Sequence, residues 1–357
     1  MLYDAIKAIM DDSVENHGVP FSDIAIAKDN EIICRYKNGP INGDELYFLY
    51  STSKPITCTA ALQLYEKGLI SLDDYVHKYI PEYEHMTVKT KDGIKEAKKP
   101  VTVRQLFTMT SGVNYNIGSE SIKDAVLKNP NASTLDIVKA IAKEPLEFEP
   151  GTHWMYGLNH DILAGVIEVI TGMSFGEYLK KNIFEVCKME RTYLHHSEEM
   201  PICHQYRYDS TRKQVVPMER KNSFIFTPIY ESGGAGIISC VEDYMKFANT
   251  LINTEKILKR ETLCLMNTPQ LTGDAYIDFQ NSKRGYSYGL GVRTNEDGGF
   301  SSKGEFGWDG AAGAYALMDP EKHIAVFYAM HIRDYGLYQY EDLHLKLRNA
   351  VYEYFKD

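Results

Sequence analysis

What this chain lacks narrows its function before any motif is considered. None of its six cysteines (Cys34, Cys58, Cys187, Cys203, Cys240 and Cys264) falls in a C-x-x-C pair or any regular spacing. That argues against a disulfide framework and against a cysteine metal site, and leaves reduced thiols. Positive charge is in short supply: Lys and Arg number 39 against 49 Asp and Glu, a formal net charge of -10. A nucleic-acid partner and an anionic membrane surface are both disfavoured. The N-terminus, M-L-Y-D-A-I-K-A-I-M-D-D, lacks the basic start and apolar run of a secretory signal, and no transmembrane stretch appears. The expectation is a cytoplasmic protein with no membrane partner. At 357 residues, with 44% apolar and 25% charged residues, the chain is long enough for two lobes, or for one lobe with a large insertion.

Charge is also missing from one stretch within the chain. Y-S-T-S-K-P-I-T-C-T-A-A-L-Q-L, Tyr50 to Leu64, carries no charged residue after Lys54 and reads as a helix buried on most of its surface. Pro55 fits only within the first turn of such a helix. Ser51 and Lys54 stand three residues apart, so their side chains share a face and the amine can reach the hydroxyl. Unpaired amides at a helix start add partial positive charge that favours an oxyanion. S-x-x-K is a catalytic signature, although for the motif alone a helix cap at Ser51 beside a solvated lysine is the better explanation, and only the apolar run tilts the reading toward function. A second S-x-x-K, at Ser210 and Lys213, has no apolar run behind it.

Around this stretch the pattern alternates between strands and helices. Leu2 to Val14 reads as a helix, and Phe21 to Ala27 with Glu31 to Tyr36 as a hairpin turning at Asp29 and Asn30. Thr87 to Lys99 reads as an exposed charged excursion, and helical signals occupy Val101 to Met109, Ser121 to Lys143, Ile162 to Ile170 and Ser174 to Ile183. Arg191 to Lys221 looks irregular. A glycine turn, E-S-G-G-A-G, leads into a helix at Val241 to Leu251. Segments 285–293, 311–319 and 323–330 read as successive strands, and Tyr340 to Phe355 as a closing helix. The expected fold is α/β of the α+β type, an antiparallel sheet flanked by helices with a large helical insertion. Residues 1–54 and 222–357 would form the sheet domain and residues 55–221 the helical one, with the active-site cleft between them.

Six segments, in order, resemble the serine beta-lactamase and penicillin-recognising superfamily, in particular its class C-like group and the esterases related to it. They are Y-S-T-S-K-P-I-T, L-F-T-M-T-S-G (106–112), P-G-T-x-W-x-Y from Pro150, G-G-A-G (233–236), Y-x-Y-G-L-G (286–291) and F-G-W-D-G-A-A-G (306–313). The resemblance implies a beta-lactamase/transpeptidase-like fold and a catalytic set of Ser51 as acylated nucleophile with Lys54 and Tyr156 as proton carriers. It also implies an oxyanion hole from the amides of Ser51 and Ala311, and a substrate edge of Trp308, Asp309 and Gly310. A nearby ammonium is expected to lower the Tyr156 phenol's pKa. Core packing is the competing account of Trp308.

Two departures from the family pattern bear on substrate. Tyr156 is followed by Gly157 and Leu158 rather than by x-Asn, with Asn159 one place late, so Leu158 is assigned to the substrate site. The third motif offers Trp308 and Asp309 where a lysine or histidine is usual, which disfavours a substrate carboxylate. The expected function is therefore a serine hydrolase acting on small, neutral carboxylic esters through a covalent acyl-enzyme, with no cofactor and no metal. A class C-like beta-lactamase, a D-alanyl peptidase or a non-catalytic penicillin-binding sensor remain as alternatives, with a small ester, amide or beta-lactam as partner. His153 and His160 flank Tyr156 without being needed. His195, His196 and His204 read as a polar loop rather than a metal site. Tyr206 and Tyr208 either line the cleft or lie on the surface.

Overall fold

The computed structural model describes residues 1–297, 301–334 and 341–356, leaving aside the side chains of residues 341 and 342. Its central sheet starts at the expected hairpin. Asp29 and Asn30 adopt φ of 50° and 69°, a left-handed pair that Asp and Asn tolerate, and link β1 (Ser22–Lys28) to β2 (Glu31–Asn38). Five more strands come from the far end of the chain: β3 (Ser287–Tyr288), β4 (Arg293–Thr294), β5 (Phe306–Asp309), β6 (Tyr315–Asp319) and β7 (Ile324–Ala329). The order is β2-β1-β7-β6-β5-β4-β3 and every pairing is antiparallel. Register runs from Asp23 opposite Ala329 to Lys28 opposite Ile324, so β1 and β7 stitch the two ends of the chain together.

Both faces of this sheet are covered, which explains why its central strands are buried at nearly every position. Ile24, Ile26, Leu317, Val326 and Tyr328 pack on one side against α1 (Leu2–His17). On the other side lie Ala25, Ala27, Ala316, Ala325 and Ala329, small enough for a helix to approach closely. The helices on that side are α2 (Lys54–Glu66), α3 (Asn159–Thr171) and α4 (Val241–Asn253): α4 rests on β1 and β7, α2 reaches β5, and α3 packs on α2. Tyr244 of α4 stacks on Phe327 at 4.0 Å between ring centroids. Helix α5 (Glu341–Tyr354) lies beside α1. Tyr340, expected within this last helix, falls outside the described residues.

Three segments depart from the sequence reading. Residues 285–293 form two short strands instead of one, because Gly291 takes φ of 84° and the Gly289 amide closes a turn on the Val292 carbonyl at 2.8 Å. The excursion at 87–99 contains an exposed hairpin, Thr87–Thr90 with Gly93–Glu96. The polar stretch before Lys221 contains another, Gln205–Asp209 with Gln214–Met218, whose first strand runs parallel to Ile332–Arg333. Both owe their order to cross-strand pairing, which composition does not reveal. Among the described residues no single helix is long and apolar enough to cross a membrane.

Candidate active site

The chain enters the site along a short ladder. Tyr47 and Phe48 pair with Ser239 and Ile238, the Leu49 amide bonds the Ile237 carbonyl at 2.9 Å, and the Ser53 hydroxyl accepts from the Ile237 amide at 3.2 Å. Tyr50 then turns left-handed, with φ of 48°, an uncommon conformation for a bulky residue and one associated with functional strain. Residues Tyr50–Ser53 form a single 3-10 turn, so Ser51 precedes α2 and Lys54 is the first residue of the helix. Pro55 sits in its first turn, as its missing amide requires.

Lys54 is fully buried. Its Nζ lies 3.1 Å from Ser51 Oγ and donates to the Gly234 carbonyl at 2.7 Å. Burial disfavours the ammonium and brings its pKa down to about 7, with the Asp161 carboxylate pulling the other way. Asp161, in the first turn of α3, accepts from the Tyr230 hydroxyl at 2.7 Å, Ser232 Oγ at 2.6 Å and the Gly234 amide at 3.3 Å. A β-carbon at Gly234 would come within 2.6 Å of Asp161 Oδ2 and 3.4 Å of Lys54 Nζ, which is why the turn needs glycine there. An amine with a pKa near neutrality, in contact with a hydroxyl, is able to take its proton at physiological pH.

Tyr156 completes the group. Its phenol interacts with the Ser51 hydroxyl, and Trp308 Nε1 donates to the phenol oxygen at 3.0 Å. The Lys54 amine lies 4.7 Å from the centre of the Tyr156 ring. Contrary to the expected lowering by an ammonium, the phenol pKa is raised, because burial outweighs the lowering influence of Ser51 and Trp308. Tyr156 is therefore a neutral phenol, a proton donor and not a resting base. Its ring is stacked between Tyr115 (5.2 Å, 11°) and Trp308 (5.6 Å, 19°). Tyr115, absent from the sequence reading, also interacts with Ser51. Trp308 is buried, and its nitrogen is bonded to the phenol oxygen.

The remaining assigned residues divide. Asp309 is ion-paired with Lys283 and lies 3.4 Å from Arg293, and these cations hold its carboxyl below the usual range. The charge expected to repel a substrate carboxylate is thus compensated locally. Gly310 is close to its own chain rather than to an open face: a β-carbon would come 2.6 Å from the Leu49 carbonyl oxygen. This packing sets the end of β5 against the segment that delivers Ser51. Ala311 is exposed in the turn that follows, and among the described residues neither its amide nor that of Ser51 is bound to a backbone carbonyl.

Leu158 does not join the site. It is buried with Val113, Ile122, Ile141 and Leu146 in the helical part, because Gly157 packs on the Val113 carbonyl and turns the chain inward there. Asn159 is also turned inward, bonded to the Ser111 hydroxyl and to Met109 Sδ. His153 pairs with Asp278 at 2.8 Å. His160 is buried near Cys58 with its pKa lowered to about 3, which removes it as an acid at neutral pH. His195 pairs with Glu231, His196 packs on Phe48 and His204 is exposed; among the described residues no cluster is able to hold a metal. Tyr206 packs edge-on against Phe21. Ser210 and Lys213, the second S-x-x-K, lie on an exposed turn.

Comparison with known proteins agrees with this fold. The family model described as Beta-lactamase matches residues 6–347. The chain belongs to the beta-lactamase family. Among family members it is similar to the acyltransferase calJ of Penicillium decumbens, 28% identical over 334 residues that cover 83% of this chain and 78% of that protein. It is 25% identical over 273 residues to the esterase EstB of Burkholderia gladioli, 68% of each chain being covered. Among solved structures it shares its fold with EstCE1, described as a hydrolase with promiscuous acyltransferase activity, at a TM-score of 0.82 and 21% identity over 98% of both chains.

Proposed function

We propose that this beta-lactamase-family protein is a serine hydrolase acting on small carboxylic esters through an acyl-enzyme on Ser51. The observation that carries the reading is the fully buried Lys54 amine, 3.1 Å from Ser51 Oγ and with a pKa near 7. Ser51 Oγ attacks the ester carbonyl while its proton passes to the neutral Lys54 amine. The oxyanion is met by the amides of Ser51 and Ala311. As the ester C–O bond breaks, the departing alkoxide takes the Tyr156 proton, and the Lys54 ammonium restores the phenol. Water or another alcohol then attacks the acyl-enzyme by the reverse route. The acyltransferase and esterase relatives support both acceptors.

Preference for esters over beta-lactams is supported by the edge at β5. Among the described residues a beta-lactam carboxylate laid along it meets Lys283 and Arg293, both already engaged by Asp309. Intact mass after treatment with an aryl phosphonate, together with kcat/KM for p-nitrophenyl acetate, p-nitrophenyl butyrate, nitrocefin and D-alanyl-D-alanine peptides, tests the proposal. A single adduct lost in Ser51→Ala, with esters favoured, is the expected result. An adduct that persists in that variant, or a preference for nitrocefin, overturns it.

A further inference from the structure

The aromatic column beside Ser51 ends differently on its two sides. At the Trp308 end, Lys283 lies 5.4 Å from the ring centre with its charge answered by Asp309. At the Tyr115 end, Phe224 meets Tyr115 edge-on at 5.4 Å, and the guanidinium of Arg333 lies 5.4 Å from the Phe224 ring centre and 4.9 Å from that of Tyr50. Tyr50 is the residue immediately before Ser51. Arg333 donates to Ser223 Oγ at 3.4 Å and contacts the Tyr50 phenol. Among the described residues its Nε is buried without an acceptor and no carboxylate lies within ion-pairing distance, although Asp334 is next in the chain.

A guanidinium braced by two ring systems has already lost most of its rotamer freedom, and its planar donors suit a carboxylate held in the same plane. The formal net charge of -10 gives the molecule a field that repels anions, so a carboxylate would need a specific local partner to stay in the cleft. Resting on the reading of Ser51 as the acylated residue, the geometry points to Arg333 as the anchor for a free carboxylate on the ester substrate, bound on the Phe224 side of Ser51. The favoured substrates are then esters with a second, unesterified carboxylate several bonds from the scissile carbonyl. Such a group lies away from β5, where a beta-lactam carboxylate would fall.

Two matched pairs locate that carboxylate. Mono-p-nitrophenyl adipate against p-nitrophenyl hexanoate places it on the acyl side, and p-(acetoxymethyl)benzoate against p-methylbenzyl acetate places it on the alcohol side. In one pair the ratio of charged to neutral kcat/KM is expected to fall about tenfold or more in Arg333→Met, mainly through KM, and to recover in part in Arg333→Lys. Equal ratios in wild type and both variants, in both pairs, overturn the inference while leaving the hydrolase reading intact. If no ester is turned over, that reading falls, and calorimetric titration with adipate decides the role of Arg333 separately. Binding at least about tenfold weaker in Arg333→Met supports it, and equal or absent binding overturns it.

Discussion

The indole nitrogen of Trp308 donates to the phenolic oxygen of Tyr156 at 3.0 Å, across two stacked rings. That bond fixes the position of the oxygen from one side. Trp308→Phe keeps the stacked ring and removes only the donor. Turnover of p-nitrophenyl butyrate is expected to fall roughly threefold to tenfold in kcat, the worth of one neutral hydrogen bond, with Tm near that of wild type. An unchanged kcat would leave Trp308 as packing alone.

Removing the proton carriers should cost more. Lys54→Ala and Tyr156→Phe are each expected to lower kcat by about a hundredfold or more, with circular dichroism confirming the fold. Near-wild-type turnover in Tyr156→Phe would shift the acid role to Tyr115, the other phenol beside Ser51.

The pH profile follows from Lys54. Only the neutral amine accepts the serine proton, and burial brings its pKa down to about 7. Acylation should therefore fall about tenfold per unit below that value and level off above it. The raised pKa of Tyr156 keeps the phenol protonated through neutral pH, so it adds no descending limb there. Stability has a matching sign: the unfolded chain holds the Lys54 proton up to its ordinary pKa of 10.5, so the cost of burying this residue is full below pH 7 and fades toward 10.5. Phosphonate labelling rates from pH 5 to pH 9 test the kinetic part, and a flat profile would exclude Lys54 as the base.

Gly310→Ala tests how β5 is set against the nucleophile. The new β-carbon would lie 2.6 Å from the Leu49 oxygen and 3.1 Å from Ala314 Cβ, so one backbone or the other must move. A loss of about 1–3 kcal/mol in stability is expected, with a larger proportional loss in acylation because Leu49 leads directly to Ser51. Thermal unfolding and labelling rate, measured on the same sample, separate the two effects.

The contact between Ser51 and Lys54 was legible in the sequence because an ionisable side chain at the head of an uncharged helix is a conspicuous cost. The early hairpin was equally plain from Asp29 and Asn30. Asp161 was not, although a carboxylate opening a helix that stays apolar as far as Glu168 is a comparable anomaly and was open to the same reasoning. Tyr115 had no such signal among 26 tyrosines. The pairing of Asp309 with Lys283 and Arg293 depends on which strands and helix ends meet, and spacing along the chain does not encode that. Leu158 was misassigned because a motif offset was read as a substitution in place, when the chain turns inward at Gly157.

The chain has two tryptophans, Trp154 and Trp308, and their ring centres lie 6.3 and 5.6 Å from that of Tyr156. All indole fluorescence of the whole protein therefore originates beside the phenol that faces Ser51. Emission from the unlabelled, unmodified enzyme becomes a direct optical report on the cleft, so that acylation, deacylation and ligand exchange are open to stopped-flow measurement without a chromogenic substrate.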